Sequence, residues 1–121
     1  MNWNSRQSWS QKFRHAFRGL KQGVRGQSSF FVHFFAAAAV IVAGIVLNCD
    51  RADWYALLLC ITLVLAAEMF NSALESLAKA LRRDYDPHIA DALDIGSAAV
   101  LVASIGAVCV GAMVFFHRLG F

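Results

Sequence analysis

The sequence predicts an all-α integral membrane protein: an N-terminal amphipathic surface helix followed by three transmembrane helices. Three observations carry that prediction. Of 121 residues, 59% are hydrophobic and only 16% charged, against ~45–50% and ~25% in soluble domains. Three long apolar stretches follow one another along the chain, and a basic segment without a single acid precedes them. This balance argues against a disordered chain, a nucleic-acid binder or an ordinary soluble enzyme. The length suits one domain, residues 1–121.

The surface helix is placed at about residues 9–25. Trp9, Phe13, Phe17, Leu20 and Val24 recur at helical spacing, beside Lys12, Arg14, Arg18, Lys21 and Arg25. One apolar face next to a cationic one fits a helix lying in the membrane interface, its charges against anionic headgroups. Gly19, Gly23 and Gly26 loosen its end, where the chain turns into the membrane.

The first span, about residues 30–47, reads FFVHFFAAAAVIVAGIVL, with His33 as its only ionisable residue. The second, about 54–81, is uncharged from Trp54 to Ala67 and then carries polar residues in helical register. The third, about 89–116, is uncharged from Ile95 to Phe116 and rich in small residues that permit close helix approach. A helix needs ~20 residues to cross ~30 Å of hydrocarbon, and lipid forces backbone groups to pair within helices or closed barrels. Basic residues cluster before span one and again at Lys79, Arg82 and Arg83, which puts the N-terminus in the cytoplasm and the C-terminus outside. A cleaved signal peptide is disfavoured, because the basic region is too long and cleavage would remove the first span. Cys49, Cys60 and Cys109 have no metal or disulfide spacing.

Chemistry concentrates on the second span. Glu68, Asn71, Ser72, Glu75 and Lys79 fall at steps of three or four along one side of a helix. An intramembrane acid costs ~2.5–3.5 kcal/mol even on lenient insertion scales, so its presence marks a polar network, a proton path, or a metal and substrate. Oxygen ligands of this kind suit magnesium, which shares its coordination with waters and phosphates. One three-helix protomer can barely screen the stripe, which suggests oligomerisation. Asp86-Pro87 marks a turn. Asp91 and Asp94 follow in the first turns of the last helix, where negative charge is favoured, with Asp94 at the membrane face. There is no GxxxxGK[ST], no Rossmann glycine motif and no CxxC pair.

The run Glu68-Met69-Phe70-Asn71-Ser72-Ala73-Leu74-Glu75 resembles the E-x-x-N-[ST]-A-[IL]-E signature of the small bacterial integral-membrane diacylglycerol and undecaprenol kinases. Asp94-Ile95-Gly96-Ser97-Ala98-Ala99 resembles that family's second block, and Phe13, Ala16-Phe17, Gly19-Leu20 and Phe30 agree with its front end. The resemblance implies a homotrimer with active sites shared between protomers at the cytoplasmic face. It implies transfer of the ATP γ-phosphoryl group, with Mg²⁺, to the hydroxyl of diacylglycerol or undecaprenol. On the same basis Glu68 is the candidate general base, with Asn71 and Asp94 arranging the catalytic network. Arg14, Phe17, Arg18, Lys79, Glu75 and Asp94 become the candidate nucleotide contacts, and Glu75 and Gln27 the candidate metal ligands.

The chain departs from the family pattern at four positions. Gln27 replaces a metal-binding glutamate, Phe31 an arginine, Leu93 a lysine and Lys79 an aspartate. One acid and two phosphate donors are thereby lost, and Lys79 either moves positive charge towards the phosphates or pairs with Glu75 one turn back. An active lipid kinase is favoured, with diacylglycerol slightly ahead of undecaprenol. A catalytically silent membrane interaction protein and a carrier that uses Glu68 are the competing readings.

Overall fold

Helix ends in this chain are set by short-range polar contacts. Ser8 and Gln11 cap each other: the Gln11 amide donates to Ser8 Oγ at 3.3 Å and the Ser8 amide to Gln11 Oε1 at 2.9 Å. Asp50 and Asp53 repeat the reciprocal pattern at 2.9 and 3.2 Å. Asp86 accepts from the amides of His88 and Ile89 at 2.8 and 3.3 Å, while Pro87 occupies the first helical position, where no amide donor is needed.

A computed structural model describes residues 8–25, 28–81 and 84–121. Its described residues form four helices, α1 Trp9–Arg25, α2 Ser28–Val46, α3 Arg51–Leu81 and α4 Pro87–Arg118. Asn48 terminates the α2 side of the first turn with φ of 53°, a left-handed conformation asparagine tolerates. Helices α3 and α4 form an antiparallel hairpin with the most extensive contact in the molecule; α2 leans on α3, and α1 touches both. The antiparallel register is fixed at two levels: Gly96 lies against Asn71, and Arg118 reaches Asp53. Gly44 sets the α2–α3 approach, since a Cβ there would stand 2.8 Å from the Trp54 ring.

Two expectations need correction. Two helices, not three, are long and apolar enough to cross a membrane among the described residues: Arg51–Leu81 and Pro87–Arg118. The apolar run of α2, Phe30–Val46, falls in a shorter class. At 1.5 Å per residue it reaches only about 25 Å, short of the ~30 Å hydrocarbon core. The homotrimeric bundle is likewise unsupported. In place of a three-span protomer, the described residues give one long hairpin and a shorter apolar helix.

Apolar side chains mostly face outward. Phe30, Leu57 and Ala78 are the buried hydrophobic residues described, whereas Val102, Val108 and Met113 of α4 are about 70% exposed. Such a surface on a long apolar hairpin belongs in lipid, which supports a membrane location. Trp9, Phe13 and Phe17 on α1 are also exposed, and Lys12 Nζ stands 4.8 Å from the Trp9 ring centroid. The aromatic face of α1 is therefore not packed onto its own protein, as suits an interfacial helix.

Candidate active site on helix α3

Positions 68, 71, 72 and 75 share one face of α3 because they recur at three and four residues. That face turns inward. Glu68 is 3% exposed, and Asn71 and Ser72 are buried beside it. Glu75, one turn on, is half-buried, and Lys79 is exposed. Burial thus declines along the stripe towards the C-terminal end of α3.

The buried end is paired across helices. His33 Nε2 of α2 lies 3.5 Å from Glu68 Oε2. Further along, Asn71 Nδ2 donates to Glu75 Oε1 at 3.1 Å, so Glu75 is bonded to Asn71 rather than to Lys79 among the described contacts. Gly96 of α4 closes this level. A Cβ on it would stand 2.6 Å from Asn71 Oδ1 and 2.9 Å from a Leu74 methyl. Asn71 Oδ1 and Ser72 Oγ are buried without a hydrogen-bond partner among the described residues. Buried polar atoms are rarely left so, and these two hold spare accepting capacity at the centre of the stripe.

Two cavities meet the site. An open groove of about 860 Å³ runs between α1 and α3, lined by Ala16, Gly19 and Gln22 on one side and Ser72, Ser76 and Lys79 on the other. Its volume lies within the ~300–1,000 Å³ of ligand pockets. A second, apolar cavity of about 380 Å³ lies among α2, α3 and α4, with Leu57, Val64, Ala107 and Phe115 on its walls and His33 among its lining. The stripe therefore stands between a groove of mixed lining and an apolar cavity.

Helix α3 brings together Glu68, Asn71 and Glu75, and Lys79 joins the groove. Asp94 is exposed on α4, where the contact with Asn71 is made by Gly96. Arg14, Phe17 and Arg18 are exposed on α1, whereas the groove side of that helix is Ala16, Gly19 and Gln22. Gln27, like Arg82 and Arg83, lies outside the described residues. Sequence reasoning missed three participants. His33 carried a signal, as the sole ionisable residue of its apolar run; Ser76 lies four residues beyond Ser72; Gly96 stood in the second block that opens at Asp94, without a role assigned to it.

No three His, Cys, Asp or Glu side chains gather into a metal cage among the described residues. A magnesium ion does not require one, since it typically takes one or two carboxylates and completes its shell with waters and phosphates. Half-buried Glu75, with the buried amide oxygen of Asn71 beside it, fits that habit.

Glu68 is thus a carboxylate buried midway along α3, with a groove on the α1 side of its stripe and an apolar cavity on the His33 side. The chain belongs to the prokaryotic diacylglycerol kinase family, whose model matches residues 14–115. It is 35% identical over 100 residues to the diacylglycerol kinase of Synechocystis sp. (strain ATCC 27184 / PCC 6803 / Kazusa), covering 82% of this chain and 57% of that relative. It is 27% identical to the undecaprenol kinase of Bacillus subtilis (strain 168) over 107 residues, covering 88% of this chain and 87% of that protein. The diacylglycerol kinase of Escherichia coli (strain K12) is also 27% identical, over 106 residues with the same shares.

Proposed function

We propose that the protein transfers the γ-phosphoryl group of ATP to a membrane lipid hydroxyl, diacylglycerol first, giving phosphatidic acid. The observation that carries this reading is Glu68. It is 3% exposed in the middle of a membrane helix and opens the E-x-x-N-S-A-L-E run in a chain of this family.

Each described residue then has a task. Glu68 takes the proton of the lipid hydroxyl as general base. Asn71 holds Glu75 by its amide hydrogen bond, fixing the second carboxylate two turns from the first. Glu75, with Gln27, would hold magnesium, which supplies charge neutralisation to the phosphates when bound. Lys79 lines the groove and offers a cation to the polyphosphate, Arg14, Phe17 and Arg18 are further nucleotide contacts from the exposed side of α1, and Asp94 of α4 is a further carboxylate for the catalytic network. Phosphoryl transfer depends mainly on positioning and charge stabilisation, so a rigid stripe can accomplish it without a phosphate-binding loop. In this reading the Lys79 end of α3 and the α3–α4 connection face the cytoplasm, where ATP is available, and the C-terminus lies outside.

The test is transfer of labelled phosphate from ATP and magnesium in mixed micelles, with diacylglycerol and undecaprenol offered separately. Product from diacylglycerol, lost in Glu68→Gln, is the expected result. Product from undecaprenol alone would reassign the substrate. No product from either lipid, in folded protein, would leave a silent homologue that Gln27, Phe31 and Leu93 explain.

A further inference from the structure

Glycines of the apolar helices stand in two different situations. At Gly44 and Gly96 an added Cβ would meet a neighbour at 2.8 and 2.6 Å, so close packing accounts for the missing side chain. At Gly111 of α4 an added Cβ would meet nothing within 4 Å, although glycine inside a helix is less stable than alanine. What this open position borders is the apolar cavity of about 380 Å³, which Gly111 lines together with Ala107 of α4 and Ala36 and Ala37 of α2. Small residues on two helices thus leave a space that larger ones would fill.

The cavity is long and uncharged. Its lining runs from Leu57 to Leu65 on α3 and from Ser104 to Phe115 on α4, about 12 Å and about 16 Å at 1.5 Å per residue. No Asp, Glu, Lys or Arg stands among its described lining. At one end is His33, whose Nε2 lies 3.5 Å from Glu68 Oε2. At the other are buried Leu57 and the Phe115 ring. Helices α2 and α4 both pack on α3, with no comparable contact between them among the described residues. The space therefore opens between these two helices, towards the bilayer.

Protein interiors hold few voids larger than a water, and an apolar cavity of only ~150 Å³ binds benzene. In a membrane the apolar filler at hand is lipid hydrocarbon. We propose that the cavity holds one hydrocarbon chain of the lipid substrate, and that Gly111 is a specificity-determining residue for its length. The headgroup end then lies at His33, level with the Glu68 carboxylate, and the chain enters between α2 and α4 and runs along α3 until Phe115 stops it. The second chain of a diacylglycerol stays in the surrounding bilayer. The proposal rests on the lipid-kinase reading and specifies the part of the substrate which that reading leaves open.

The experiment measures kcat/KM for dioctanoylglycerol and dipalmitoylglycerol in mixed micelles with ATP and magnesium, in wild type, Gly111→Leu and Gly106→Leu. Gly111→Leu is expected to lower the value for the long chains by about 10-fold and for the short ones by no more than about twofold, the lower end of what a misfit of one methylene costs. Gly106 is the matched control. An added Cβ there also meets nothing within 4 Å, but it borders a separate groove of the α3–α4 hairpin, and Gly106→Leu is expected to keep the wild-type ratio of the two substrates. A folded Gly111→Leu protein with the wild-type ratio overturns the proposal, as does an equal change of ratio in Gly106→Leu. Gly111→Val carries the same comparison where Gly111→Leu does not fold. A readout without turnover uses dipalmitoylglycerol with a diazirine at mid-chain. On irradiation it is expected to label Ala107, Gly111 or Ala112 in wild type, and to lose that labelling in Gly111→Leu. Label confined to Val102 and Met113, which are about 70% exposed, overturns the proposal. If wild type phosphorylates neither lipid, the kinase reading falls, while the labelling still decides whether a chain lies in the cavity.

Discussion

Two of the three carboxylates of helix α3, Asp53 and Glu68, lie about 22 Å apart at 1.5 Å per residue, and they live in opposite circumstances. Asp53 sits at the α2–α3 turn. It accepts from the Asp50 amide at 3.2 Å and lies 3.8 Å from Arg118 Nε, while Arg118 also donates to the Asn48 carbonyl. Every partner there belongs to a helix end, and the corner is stitched together by contacts that water can share. Glu68 sits in mid-helix with an imidazole beside it and two buried oxygens that have no partner among the described residues, Asn71 Oδ1 and Ser72 Oγ, within a turn. Carboxylates at one end finish the fold. At the other end Asn71 Oδ1 and Ser72 Oγ hold polar capacity that no described residue uses, and such capacity in a low-dielectric site is where chemistry is expected.

The comparison breaks most sharply under substitution of the acids. Glu68→Gln is expected to reduce phosphate transfer by roughly 10²–10⁴-fold, the range of a general base, with little change in melting temperature. Asp53→Asn should alter melting and leave turnover near wild type. Equal losses of activity in both would erase the distinction. Gly96→Ala comes next. Its Cβ would meet Asn71 Oδ1 at 2.6 Å, so overpacking should cost about 1–3 kcal/mol and also reduce kcat by displacing the Asn71–Glu75 bond. Thermal unfolding in detergent together with kinetics measures both effects.

Gly44→Ala is the matched change towards the turn. The Trp54 ring stands 2.8 Å from the added carbon, and a stability loss of about 1–2 kcal/mol is expected with kcat preserved. An activity loss as large as that of Gly96→Ala would show the two ends to be coupled.

The smallest effect is in acid. The backbone hydrogen bond from Asp53 holds the Asp50 carboxyl below its ordinary value. Its folded-state pKa is thus the lower one. The stabilisation is present above the ordinary aspartate value of about 3.9 and is lost as pH falls through the folded value. Near neutrality Asp50→Asn should therefore melt slightly below wild type, and the difference should close as pH falls below about 4.

Much of this was legible in the chain. The apolar runs and the basic amphipathic start announced helices, because period and composition report which way a segment faces. The stripe was legible for the same reason: Glu68, Asn71 and Glu75 share a face whatever packs on it. What periodicity does not carry is height between helices. That His33 of α2 stands level with Glu68, and that Gly96 rather than Asp94 meets Asn71, depends on crossing geometry set by Trp54 on Gly44 and by the short α3–α4 connection. Apolar length in α2 was overread for a related reason. A run of hydrophobic letters records solubility preference, while spanning requires a distance, and among the described residues the α2 run Phe30–Val46 falls in the shorter range.

The length of α3 has a mechanical consequence. Its 31 residues extend about 46 Å, leaving about 16 Å beyond a hydrocarbon core of ~30 Å. That surplus fixes how far the Lys79 end rises above the oil while Glu68 remains within it. Lipids with longer chains thicken the core and consume the surplus, and the helix can answer only by tilting or by dimpling the leaflet. Bilayer thickness thereby becomes a variable that this protein registers, one turn of α3 at a time.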